Sequence, residues 1–125
     1  MRFLLDTNAL LWWLDNPEIL TEATRQVIAD PMRNVYVSSV SFMEIVIKQS
    51  SGKLGIDKPW EPAIEASHFT QLSFSCDHAL AVKGLLPIHK DPFDRMLVAQ
   101  TIVEKATLVT ADGKLADYGI PILPA

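Results

Sequence analysis

The sequence holds a single cysteine, Cys76, in 125 residues. No disulfide can form within the chain, and a reducing compartment, the cytoplasm, is expected. No apolar run approaches the ~18–20 residues that a membrane span needs. The opening apolar stretch Phe3-Leu4-Leu5 is broken at Asp6 with no small-residue cleavage site behind it, so it does not read as a signal peptide. Positive charge is not in excess either: 11 Lys and Arg against 15 Asp and Glu leave a net charge of −4. A protein that holds nucleic acid by charge alone is normally basic. If this chain binds a polyanion, something else must supply the positive charge.

Apolar character is plentiful. Hydrophobic residues make up 49% and charged residues 21%, too apolar and too weakly charged for a disordered chain. The length suits one domain spanning residues 1–125, and a chain of this size buries roughly two-thirds of its unfolded surface.

Short β-rich runs alternate with helical ones, and no internal repeat or low-complexity tract interrupts them. Phe3–Leu5 reads as a strand ending at Asp6-Thr7-Asn8, Ala9–Leu14 as a helix, and Glu22–Asp30 as a second helix stopped by Pro31. Val35–Val37 is the second strand. Ser41 with Glu44 three residues later has the form of a capping box opening a helix through Gln49 that ends near Gly52. Pro62–Phe69 and Asp77–Lys83 read as helices and Gln71–Phe74 as a strand. Asp91-Pro92, N-cap then first helical position, starts the clearest helix, reaching Lys105. Thr107–Thr110 and Ile120–Leu123 complete the strands. The strands are continuously apolar, which predicts an α/β fold of three layers, α/β/α, around a mainly parallel sheet. Ligands of such sheets bind beyond the carboxyl ends of the strands, near the topological switch point.

Four acids stand where that rule points: Asp6 after the first strand, Glu44 one turn into the helix after the second, Asp94 in the first turn of the long helix, and Asp112 just past Thr107–Thr110. Clustered carboxylates are hard-oxygen ligands suited to Mg²⁺ or Mn²⁺, whose usual work is phosphoryl-transfer chemistry. Each acid also has a local reading: Asp6 as a helix cap, Glu44 in its capping box, Asp94 on a helix dipole, Asp112 in a turn before Gly113. Caps have no reason to choose one sheet edge four times.

Phe3-Leu4-Leu5-Asp6-Thr7-Asn8 and Ser38-Ser39-Val40-Ser41-Phe42-Met43-Glu44-Ile45 resemble the opening of a PIN-domain nuclease. His89-Lys90-Asp91-Pro92-Phe93-Asp94-Arg95, with Leu97 and Gln100, is similar to the signature of the VapC-type toxin branch, and Leu108-Val109-Thr110-Ala111-Asp112 to the final acidic motif. The match runs from Phe3 to about Leu123, with Lys53–Phe74 its least diagnostic stretch. The resemblance implies a Mg²⁺- or Mn²⁺-dependent endoribonuclease using Asp6, Glu44, Asp94 and Asp112. It also implies a toxin that forms a homodimer and is silenced by a small antitoxin laid across its groove.

Asp6 and Asp94 are short and sit at element ends, which makes them the first candidates for direct ligation. Glu44 and Asp112 complete the shell, hold metal-bound water, or accept the attacking water's proton. Thr7, Asn8 and Thr110 either orient those carboxylates or serve as ordinary turn and cap groups. Asp91 reads as a helix N-cap or an outer partner of the metal site. Lys90, Arg95 and His89 flank Asp94 and suit RNA phosphates, although Arg95 equally suits an ion pair with a neighbouring acid. His68 and His78 read as packing or surface groups, and neither they nor Cys76 have partners at metal-like spacing. Trp12 and Trp13 point about 100° apart on one helix, so one is expected in the core and the other at the surface, open to a partner. Trp60 is either such an anchor or a cover for the core. One Mg²⁺ would bring the net charge from −4 to −2, and two would bring it to zero. Two other readings stay open. One is a phosphohydrolase with Asp6 as nucleophile, although the residue two positions on is Asn8 rather than a second aspartate. The other is a nuclease fold that only binds RNA or protein.

Overall fold

The computed structural model describes residues 1–56 and 59–125. Five strands, β1 (Arg2–Leu5), β2 (Asn34–Ser38), β3 (Thr70–Leu72), β4 (Thr107–Thr110) and β5 (Ile122–Pro124), form one sheet in the order β3-β2-β1-β4-β5. All neighbouring strands are parallel, with Leu4 in register with Tyr36 on one side and Leu108 on the other. The helices are α1 (Thr7–Asp15), α2 (Glu22–Ala29), α3 (Ser39–Ser50), α4 (Glu61–Glu65), α5 (Cys76–Lys83) and α6 (Pro92–Glu104). The three-layer α/β/α expectation holds.

Why the inner strands β1, β2 and β4 are mainly apolar follows from the two-residue alternation of side chains, whereas the edge strand β3, Thr70–Leu72, is polar and largely exposed. Phe3 and Leu5 point into one core with Val35, Val37 and Val109, closed by Leu10 of α1, Ile28 of α2 and Ile45 of α3. Leu4 points the other way, with Leu108, against Leu97 and Val98 of α6 and Leu115. From Phe3 to Leu5 both faces of the central strand are dry, so none of these positions is free to be polar. The chain leaves β1 to one side for β2 and β3 and returns to the other for β4 and β5, which puts the switch point between β1 and β4.

Several boundaries differ from the sequence reading. Helix α3 opens three residues before Ser41, because β2 runs straight into it and Ser38, the hydroxyl at the strand end, takes the cap: Val40 N–H donates to Ser38 Oγ at 3.0 Å. Ser41 is instead inside the helix and buried. Helix α4 stops at Glu65, since Ser67 Oγ donates to the Ile64 carbonyl (2.6 Å) and accepts from Phe69 N–H (3.2 Å), turning the chain out of the helix before Phe69. A 3₁₀ turn over Gly113–Tyr118 follows Asp112. It ends at Gly119 with φ 79°, a left-handed turn that sends Ile120 into the second core before β5 begins. Trp12 and Trp13 do not divide between core and surface. Both are half-buried against the first core, because Leu54, Ile56 and Phe69 also cover that side of α1. Trp60 is buried over the core, its ring tilted against Phe42 with centroids 5.4 Å apart and its Nε1–H donating to Gln49 Oε1.

Candidate active site

The switch point fixes Asp6. Its backbone N–H still joins the ladder, donating to the Val109 carbonyl (3.0 Å), while its Oδ1 accepts from Ala9 N–H at 2.8 Å and caps α1. The residue is therefore a cap and a buried carboxylate at once. Across the gap, Thr110 ends β4 and its Oγ1 accepts from Asp112 N–H (3.0 Å); the same hydroxyl lies beside the Asp6 carboxylate and favours its charged form. Thr110 thus links two of the acids.

Glu44 is buried on α3, which packs against both α1 and α6 and carries the side chain over the switch point. Its Oε2 accepts from Lys48 Nζ at 2.5 Å, one turn on, and its Oε1 is buried with no hydrogen-bond partner. Asp94 lies in the first turn of α6, behind Asp91, whose Oδ1 accepts from both Phe93 and Asp94 N–H. Asp91 is the N-cap. Asp112 Oδ1 caps the 3₁₀ turn through Lys114 N–H (3.1 Å), and its Oδ2 lies 3.0 Å from His89 Nε2. The same nitrogen is 3.6 Å from Asp94 Oδ2.

All four acids share one edge and feel one another. Asp6 is raised to about 6, first by burial and then by the charges of Glu44 and Asp112. Asp94 is also raised to about 6, again mainly by burial, with Asp91, Asp6 and Glu44 adding repulsion. Lys48 is raised by its bond to Glu44. The tightest grouping is not the quartet itself: ligand atoms of His89, Asp94 and Asp112 lie within 4.8 Å of one another.

The supporting residues divide. Thr7 does not give its hydrogen to a carboxylate; the hydroxyl donates to Ser41 Oγ at 3.0 Å and pins α1 to α3. Asn8 is exposed and lines an outer cavity with Leu11, Trp12 and Leu54. That placement removes support from an Asp6 nucleophile with a helper two residues on. Arg95 makes no ion pair among the described residues: its Nη1 donates to the Leu86 carbonyl (2.9 Å) and to Tyr118 Oη (3.1 Å), with a longer bond to the His89 carbonyl. It clamps the loop ahead of α6. Lys90 is exposed beside the site. His78 is a satisfied core histidine, 2.8 Å from Glu104, and His68 lies at the surface against Phe69. Sequence reading missed Lys48, although Glu44 and Lys48 stand at the (i, i+4) spacing of helix ion pairs. It also missed the contact between His89 and the acids, which only the tertiary fold creates.

Hard carboxylate oxygens, one of them buried and bare, suit a divalent cation: Glu44 Oε1 needs a positive partner, and two carboxyls raised mainly by burial, with repulsion from neighbouring acids added, would relax around one.

A parallel sheet with carboxylates gathered at its switch point defines a class of acid-site α/β proteins. Within that class, the chain belongs to the PIN domain family, whose profile matches residues 3–121. Its fold is similar to VapBC2 from Rickettsia felis bound to promoter DNA (TM-score 0.72, 18% identity, covering 99% of this chain and 98% of that one). It is similar to DNA-bound VapBC from Salmonella typhimurium (TM-score 0.72, 20% identity, 99% and 98% covered). A toxin–antitoxin complex from Klebsiella pneumoniae also shares the fold (TM-score 0.63, 22% identity, 96% and 94% covered). No curated protein matches the sequence significantly. No helix is long and apolar enough to cross a membrane among the described residues.

Proposed function

We propose that this chain is a Mg²⁺- or Mn²⁺-dependent endoribonuclease, the toxin of a toxin–antitoxin pair, acting in the cytoplasm as a homodimer silenced by a cognate antitoxin. The observation that carries the reading is the convergence of Asp6, Glu44, Asp94 and Asp112 at the switch point, with Glu44 Oε1 left bare. Family membership and structural neighbours that are VapBC and toxin–antitoxin complexes support it.

Asp6 and Asp94 would hold the cation, one fixed by its cap on α1 and the other by the first turn of α6. A bound divalent ion supplies charge to the scissile phosphate and an activated water. Glu44, with one oxygen buried and free, accepts the proton of the attacking water. Asp112 already accepts two hydrogen bonds and suits an outer position, holding water in the shell. Lys48 bonds the other Glu44 oxygen, and Lys90 lies exposed beside the acids where an RNA phosphate would approach.

The test is cleavage of a structured RNA panel by purified protein. Cutting is expected with Mn²⁺, to vanish with chelator, and to fall by at least a hundredfold, about 3 kcal/mol of barrier, in Asp6→Asn and Asp94→Asn. Full activity in both folded variants would refute the reading.

A further inference from the structure

His89 sits among groups that could ligate a cation, and its nitrogen is close enough to Asp94 and Asp112 to be counted with them. Its hydrogen-bond pattern says otherwise. Asp91 N–H points at His89 Nδ1 from 3.1 Å. A backbone N–H can only donate, so Nδ1 is the lone-pair nitrogen and Nε2 carries the hydrogen. That hydrogen is aimed at Asp112 Oδ2 (3.0 Å). A ring so arranged has no lone pair to give a metal at Nε2.

The backbone that carries the ring is also held in place. His89 N–H donates to Tyr118 Oη at 2.9 Å, and Arg95 Nη1 donates to the same oxygen while gripping the carbonyls of Leu86 and His89. Arg95 and Tyr118 thus fix the backbone that carries the imidazole. Tyr118 lies at the end of the turn that Asp112 caps.

We infer that His89 is a positioning residue and not a metal ligand: its Nε2–H orients the Asp112 carboxylate toward the cation that Asp6 and Asp94 would hold. The inference rests on the nuclease reading above. Arg95 and Tyr118 serve it by locking the loop, which explains why Arg95 is spent on carbonyls instead of RNA or an acid.

Two substitutions separate the two sides of the ring. Gln at position 89 reaches as far as Nε2 and keeps a donor for Asp112, whereas Asn keeps an acceptor for Asp91 N–H and loses the donor. With the full chain, Mn²⁺ binding measured by calorimetry without RNA is expected to be kept in His89→Gln and to weaken roughly 10–100-fold in His89→Asn. RNA cleavage should follow the same order. Equal loss in both variants, or rescue by Asn alone, overturns the inference. Nitrogen-15 spectra of the wild-type histidines supply a check that needs no variant. The Nε2–H form is expected in metal-free protein and after Mg²⁺ is added; an Nδ1–H form, or loss of the Nε2 hydrogen on adding Mg²⁺, overturns the inference too. A wild-type chain that neither binds Mn²⁺ nor cuts RNA would sink the nuclease reading itself. Failure of the inference alone shows as a wild type that binds and cuts beside a Gln variant that does neither.

Discussion

Asp6 carries two duties that pull in opposite directions. As a cap it satisfies Ala9 N–H, and as a buried carboxylate near Glu44 and Asp112 it costs stability whenever it is charged. Its carboxyl, and that of Asp94, are raised from 3.8 to about 6. Between those values the native state binds protons that the unfolded chain releases, so these two groups make metal-free protein less stable as pH rises from about 4 to 6, and they add no further change above that. Asp6→Asn keeps the cap oxygen and removes the charge. At pH 7.5 without metal it is expected to raise stability by about 1–2 kcal/mol, to flatten the slope between pH 4 and 6, and to lose the stabilisation that Mn²⁺ gives the wild type. Thermal unfolding with and without Mn²⁺ checks all three; a variant less stable than wild type in metal-free buffer would contradict the conflict of duties. At this scale the sequence was informative about identity and less so about contacts. Asp6, Asp94 and Asp112 were readable as candidates because each follows a strand or opens a helix, and Glu44 because it stands in the helix that follows the second strand. Thr7, Asn8, Arg95 and His89 were not, because a hydroxyl, amide, guanidinium or imidazole next to an acid in sequence can face any of several neighbours.

Among the elements, α6 was the most legible, since Asp91-Pro92 is a local signal that tertiary contacts did not override. Helix α3 was legible in place but not in its start. Ser38 and Ser41 are both plausible caps, and the choice between them depends on Gln100 of α6, which no local rule sees. Ser38 Oγ donates to Gln100 Oε1 at 2.6 Å while capping Val40, and Gln100 Nε2 continues toward His78 Nδ1 at 3.4 Å. This buried chain ties the start of the helix that carries Glu44 to the helix that carries Asp94. Gln100→Leu is expected to cost about 1–3 kcal/mol in urea unfolding by stranding those polar groups. Mn²⁺ affinity should fall as well, since the two helices lose their common anchor. An unchanged unfolding midpoint would show the network to be dispensable.

For the whole molecule, the sequence dictated topology more firmly than detail. The apolar inner strands could only be buried on both faces, and in a parallel sheet so covered a ligand site belongs beyond the carboxyl ends of the strands, where the acids stand. The acidic balance, −4 overall, then ceases to argue against a polyanionic substrate, because the negative charge that matters is concentrated where a cation would neutralise it. The stretch around Ser67 stayed illegible, with a side-chain turn ending α4 early.

The most direct test is a crystal soaked in Mn²⁺ and examined by anomalous scattering at the manganese edge. A peak within coordination distance of the Asp6 and Asp94 carboxylates is expected, with Glu44 beside it and His89 outside the coordination sphere. A saturated soak with no peak between β1 and α6, or with manganese bound only elsewhere on the surface, would contradict the account.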